Sequence, residues 1–431
     1  MKKIFFIFIA SFYSLFTYSQ NQQFEEAKNN GTFDSLKILI GGDFALQYQS
    51  IKCKADSALV PLGNGINLPT ANLNINGYLA KGIKVNLVTY LSARHHNESW
   101  VKGGYLLIDD MPFLHSTIAD NLMKYLTIKV GVMELNYGDQ HFRRSDNGHV
   151  ISNPFVGNYI MDPFTTASAM EIMFRNTGGI IAMLGTTGGV VNTQLTSWNS
   201  TNKKFYTYNI GDELGYYGKL WYDKLLNKDL RVRGTFSFYL QDATHSGTLY
   251  AGDRTGSRYY LVMNRVTGRT GAATDVDIKT NAFSGNWGPG AFHNNISGMI
   301  NLFVKYKWIE LFGYYEQAKG ITAYTPNLTK GQGYKFNQIG VEGIFRFGKN
   351  EQYYIGGKYN TVGGHYDPIS PSTVSIPDQS ISRISGALGW YMNKYTLTKI
   401  EYVTQTYNKF STQYGDNASF SGLMVEAAIS F

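Results

Sequence analysis

From Lys37 to Phe431 the apolar residues recur at every second position and not at every 3.6, which commits the chain to strands. The last segment shows the pattern best. Leu423, Val425, Ala427, Ile429 and Phe431 share one face, and Met424, Glu426, Ala428 and Ser430 share the other. A carboxylate inside an apolar alternation fits a wall with lipid on one side and water on the other. A soluble sandwich also alternates, but it does not need so many long strands or so many aromatics. This chain has 32 Tyr and 26 Phe, and only 16 % of its residues are charged. Soluble domains carry roughly a quarter. The mean hydropathy is still slightly negative, at −0.23. An all-β transmembrane antiparallel barrel reconciles these values.

Sixteen strands are expected, at 37–49, 69–79, 82–94, 101–110, 124–137, 168–176, 178–187, 213–226, 229–242, 291–306, 308–318, 333–347, 351–362, 379–392, 394–407 and 419–431. Each is long enough for a tilted crossing, which takes about 9–11 residues. Short connections near Lys81, Asn176-Thr177, Asn227-Lys228, Lys307, Lys349-Asn350 and Asn393 alternate with long ones. That fits short periplasmic turns, long outer loops and both termini inside. The turn 111–123 is long for its side. Ser116 or Thr117 can cap a small helix there, with Ile118, Leu122 and Tyr125 on one face. Arg258–Arg265 is strand-like too, but a seventeenth strand would put 266–290 on the wrong side. It is placed in the fifth outer loop, 243–290, as an extra hairpin or an insert into the lumen.

The N-terminus reads as an export signal. Lys2 and Lys3 precede an apolar run, Ile4–Phe16, and Thr17-Tyr18-Ser19 puts small residues at the cleavage-site spacing. Cleavage after Ser19 divides the chain into a leader, 1–19, and one barrel domain, 20–431. The run is too short for a spanning helix, which takes about 20 residues. The net charge of +8 falls to +6 once Lys2 and Lys3 leave. That excess does not point to nucleic acid, and export argues against it. Cys53 is the sole cysteine, so no internal disulfide is possible.

The third outer loop, Gly138–Ala167, is too aromatic for a solvated connection. Phe142, Phe155, Tyr159, Ile160, Met161 and Phe164 need burial, and Asn153-Pro154 and Asp162-Pro163 fix turns. A sixteen-stranded lumen holds water unless something folds inward. This loop is the natural constriction, with Arg143, Arg144 and His141 meeting solutes beside Asp146. In the other reading the loop packs on the wall, and the two arginines pair with Asp139 and Asp146.

Two stretches carry a more specific likeness. Gly138-Asp139, Phe142–Asn147, Asn153–Asn158 and Met161-Asp162 form the first, and Gly252–Tyr260 the second. Together with the leader ending Ser19-Gln20, they resemble the porin-like outer-membrane proteins of Bacteroidota, related in fold to the phosphate-selective porins O and P. The resemblance implies passive diffusion of small hydrophilic solutes or anions through a barrel in outer-membrane lipid, as a homotrimer or within a larger envelope complex. It does not carry over phosphate selectivity, because no Arg/Lys repeat of that kind stands in one loop here.

Strand parity places twelve cations inward: Lys84, Lys129, Arg175, Lys219, Arg231, Arg233, Lys305, Lys307, Arg346, Lys358, Arg383 and Lys399. Nine carboxylates, from Asp43 to Glu426, join them. Arg231 and Arg233 are the clearest inward pair, and the small excess suggests a weak anion preference. Catalysis has little support. No two histidines have a helical metal spacing, no Gly-x-Ser-x-Gly elbow is present, and no cofactor is implied. The expected function is therefore a porin. The alternative is a non-conducting barrel subunit of an outer-membrane secretion or assembly complex.

Overall fold

The computed structural model describes residues 22–26, 28, 33–91, 99–144, 149–188, 197–199, 203–206, 214–244, 246–251, 257–266, 285–323, 331–367, 378–410 and 413–431. The expected leader, 1–19, and Asp146 lie outside the described residues.

Its strands are β1 (Lys37–Lys54), β2 (Gly65–Ala80), β3 (Ile83–Leu91), β4 (Ser99–Ile108), β5 (Leu126–Glu134), β6 (Thr166–Arg175), β7 (Ile180–Thr187), β8 (Ser197–Asn199), β9 (Lys204–Tyr206), β10 (Gly215–Asn227), β11 (Leu230–Gln241), β12 (Gly247–Tyr250), β13 (Gly290–Tyr306), β14 (Ile309–Thr322), β15 (Gly333–Phe347), β16 (Tyr353–Tyr366), β17 (Gln379–Asn393), β18 (Thr396–Asn408) and β19 (Ala418–Ser430). β8 and β9 form a hairpin of their own, and β12 only extends the sheet against β13. The other sixteen make one antiparallel wall. It closes where β1 meets β19, in register from Asp43↔Ser430 to Lys54↔Ser419. Closure leaves no unpaired edge in the wall.

The period-two pattern sets the two faces. On β13, Met299, Asn301, Phe303 and Lys305 are buried, whereas Ile300 and Leu302 are 58 % and 53 % exposed. The same parity puts Met424, Glu426 and Ala428 of β19 inside. An Ile300→Arg barrel should therefore lose about 2 kcal/mol of stability in lipid vesicles. A urea midpoint identical to that of the parent would show that Ile300 does not meet lipid.

Several boundaries differ from the sequence reading. β5 stops at Glu134 and not at 137, because the chain turns off the ladder after Leu135, where the Tyr137 amide donates back to Leu135 O at 2.9 Å. Leu135 itself still meets the strand opposite, its amide donating to Thr165 O at 3.2 Å, whereas Tyr137 is fully buried. β14 and β16 run on to Thr322 and Tyr366, beyond the lengths expected. Lys307 does not face the lumen. It sits exposed in the β13–β14 turn with φ 51°. The long turn after β4 does hold a helix, Thr117–Met123, and Ser116 Oγ accepts from the Ala119 amide at its start.

Arg258–Arg265 is an insert and not a hairpin. Its backbone turns repeatedly, with positive φ at Arg258, Leu261 and Met263, and Tyr259, Val262 and Met263 are buried in the lumen. It is tied to the first long loop where Val60 N donates to Asn264 O at 2.7 Å.

Candidate functional site: the lumen and the loop folded into it

The third long connection, 135–165, leaves β5 and crosses the barrel interior before joining β6. Such irregular backbone carries amides and carbonyls with no strand partner, and burial obliges them to find one. The wall supplies these partners. Lys399 Nζ donates to the carbonyls of Asn153 and Phe155 at 2.9 and 2.8 Å. Lys358 Nζ donates to Gly157 O at 2.9 Å, and Arg383 donates to Asn158 O. Tyr354 and Tyr391 donate to the carbonyls of Pro154 and Ile151 at 2.8 and 3.0 Å. In the other direction, Glu401 accepts from the Val156 and Gly157 amides. Asn360 and Gln338 accept from those of Ile160 and Met161, at 2.7 and 2.9 Å. Many of the inward charges thus solvate a loop.

The fifth-loop insert fills the space beside it. Gln47 and Gln49 donate to Arg258 O and Tyr260 O at 2.9 and 2.8 Å. Tyr259 donates to Glu401. A Cβ on Gly157 would lie 2.0 Å from Tyr259 Oη, so glycine is needed where loop and insert touch.

The residues singled out from the sequence fall as follows. Arg143 is 1 % exposed and meets protein carboxylates. It pairs with Glu310 at 2.8 Å and Glu342 at 2.9 Å. Arg144 pairs with Asp162 at 2.6 Å, and the Asp146 expected beside it lies outside the described residues. Asp139 goes instead to Arg233 and Lys219, at 2.8 and 2.7 Å. Arg231 holds Asp223 at 2.8 Å. Glu426 is fully buried between Arg258 and Lys399 and meets no open water. His141 does line open space, with Glu134 on Nδ1 and Asn136 Oδ1 3.2 Å from Nε2.

That open space is a cavity of about 670 Å³ between the loop and the β2–β6 wall. Its lining includes Lys28, Lys84, Lys102, Lys129 and Arg175, set against Glu25, Glu26, Asp43, Asp109, Glu134 and Glu171. Asn74, Asn76 and Asn86 add amides, and Lys129 lies 4.1 Å from the Tyr105 ring centroid. At the short-turn end Tyr78, Ile83 and Lys84 remain partly exposed. Towards the long loops the lining reaches Lys102, and a buried group stands behind it. Tyr90, Lys102, Arg144 and Phe164 are all buried there. The Phe164 ring has Arg144 4.1 Å and Lys102 5.5 Å from its centroid. Nothing in the sequence marked Lys102, Tyr90 or Asp162 as members of one group, because the loop alone brings them together.

A closed antiparallel barrel of sixteen strands is the architecture of porin-like outer-membrane barrels. No family model matches the sequence, and no curated protein does. Among solved structures the chain is similar to the outer membrane channel DcaP of Acinetobacter baumannii, with TM-score 0.50 and 9 % identity over 93 % of this chain and 99 % of that one. It is also similar to the anion-selective porin of Comamonas acidovorans, with TM-score 0.49 and 11 % identity over 92 % and 100 %. At these identities the likeness concerns the fold.

Proposed function

We propose that this chain is an outer-membrane channel for the passive diffusion of small hydrophilic solutes, exported by a cleaved leader and embedded in lipid, alone or as a homotrimer. The supporting observation is the water-accessible cavity along β2–β6, which the loop leaves open while it fills the opposite half of the lumen. The likeness of the two loop stretches to Bacteroidota porins fits the same reading.

Selection is by size more than by charge. Five cations and six carboxylates share the cavity lining, so their fields largely cancel along the path. Arg231 and Arg233, the clearest inward pair behind the small expected excess of cations, face Asp223, Asp139 and Glu25. The purified barrel in a planar bilayer should give stable current steps with a reversal potential near zero in a salt gradient. A strong cation or anion preference would sink the size-selective reading. A silent barrel that co-purifies with other envelope proteins would favour the docking-subunit alternative.

A further inference from the structure

The segment Gln22–Glu26 precedes the first strand and lies inside the barrel. Phe24 is 5 % exposed. Its ring sits edge-on to Phe142 and Phe303, with centroids 5.7 and 5.3 Å away, and the Arg233 guanidinium lies 4.2 Å from its centre. Beside it, Glu25 receives both terminal nitrogens of Arg233 at 2.8 Å each and Lys219 Nζ at 3.0 Å. Gln22 is held as well, its Oε1 accepting from Arg143 at 2.9 Å. Arg231 donates to Gln22 O at 2.7 Å, and Gln22 Nε2 donates to Phe142 O at 3.2 Å. Gln23, Phe24, Glu25 and Glu26 also form one side of the open cavity, so the segment narrows the path it lies in.

A two-pronged guanidinium grip on a carboxylate, next to an aromatic slot, is how proteins recognise a ligand. From this we propose that Gln22–Glu26 is a tethered blocker, and that its seat between β10, β11 and the third loop is a binding site for a carboxylate flanked by an aromatic ring. The proposal rests on the channel reading for its effect on flow, but the seat itself does not. The carboxyl of Glu25 agrees with it. Burial opposes its ionisation, yet Lys219 and Arg233 outweigh burial and hold it down to about 2, against an ordinary 4.5. A lowered value means that the docking contributed by this charge is complete above about 4.5 and fades as pH falls towards 2. The charges facing it are Lys219 of β10, Arg233 of β11, Arg175 of β6 and Asp139 of the loop, with Asp223 and Arg231 next to them.

The test uses the barrel lacking Gln22–Glu26, in detergent, titrated with a fluorescent peptide of those five residues. Saturable binding is expected, weakened about tenfold by Glu25→Gln or Phe24→Ala in the peptide. Absence of saturable binding, or equal binding of all three peptides, overturns the proposal. Should the deleted barrel fail to fold, the full chain carrying Phe24→Ala and Glu25→Gln, whose weakened segment vacates the seat, takes its place in the same titration. In bilayers the deleted barrel should conduct more than the full chain, and added peptide should reverse the gain. A barrel that binds peptide but stays silent sinks the channel reading and keeps the seat.

Discussion

Replacing Arg143 with alanine is expected to lower the barrel's stability by about 3–5 kcal/mol, the cost of leaving a buried partner charge uncompensated. Arg143 joins the third loop to two wall strands, meeting Glu310 of β14 and Glu342 of β15. Without it, Glu310 keeps Arg346 at 3.1 Å, but Glu342 retains only the Tyr159 hydroxyl among its described hydrogen-bond partners. Most of the cost therefore falls on Glu342. Adding Glu342→Gln to Arg143→Ala should return part of the loss, because the stranded charge is then gone. Urea midpoints of the parent, single and double variants in micelles test this. If the single variant stays within about 1 kcal/mol of the parent, water already reaches these carboxylates and the loop is not pinned there.

Phe164→Ala is expected to raise single-channel conductance several-fold. The ring packs behind Lys102, which lines the cavity, and sits beside Arg144 and its partner Asp162. Removing it leaves a gap lined by cations and carboxylates, which fills with water and not with a collapsed apolar wall. Phe164→Leu, which keeps most of the volume, should lie between alanine and the parent. A conductance identical to the parent's in Phe164→Ala would place the resistance to flow elsewhere, at the inner segment around Phe24. The two sites are on opposite ends of the loop's path, so their effects should combine when both are changed.

The wall was legible before any coordinates. Period-two alternation fixes the face of every residue on a strand, whatever its partner, so Glu426, Arg233 and Lys399 were inward from parity alone. The alternation of short and long connections gave an even count. The helix after β4 announced itself through Ser116 and the spacing of Ile118 and Leu122. The strand ends were less legible, because the same aromatic content that continues β14 and β16 also fills the loops.

What each inward charge meets was not legible. Arg143 lies 167 residues from Glu310 and 199 from Glu342, and Val156 lies 245 from Glu401. No local pattern encodes contacts at such separations. They exist because the third loop crosses the lumen and its buried backbone demands donors and acceptors from the opposite wall. The sequence alone thus determined a closed wall with charges on its inner face. Only the tertiary structure decided that most of those charges bind loop backbone and one another, leaving the open cavity on the β2–β6 side. The physical reason is that strand parity is a property of the chain's own geometry, whereas ion pairing across a lumen depends on what folds into it.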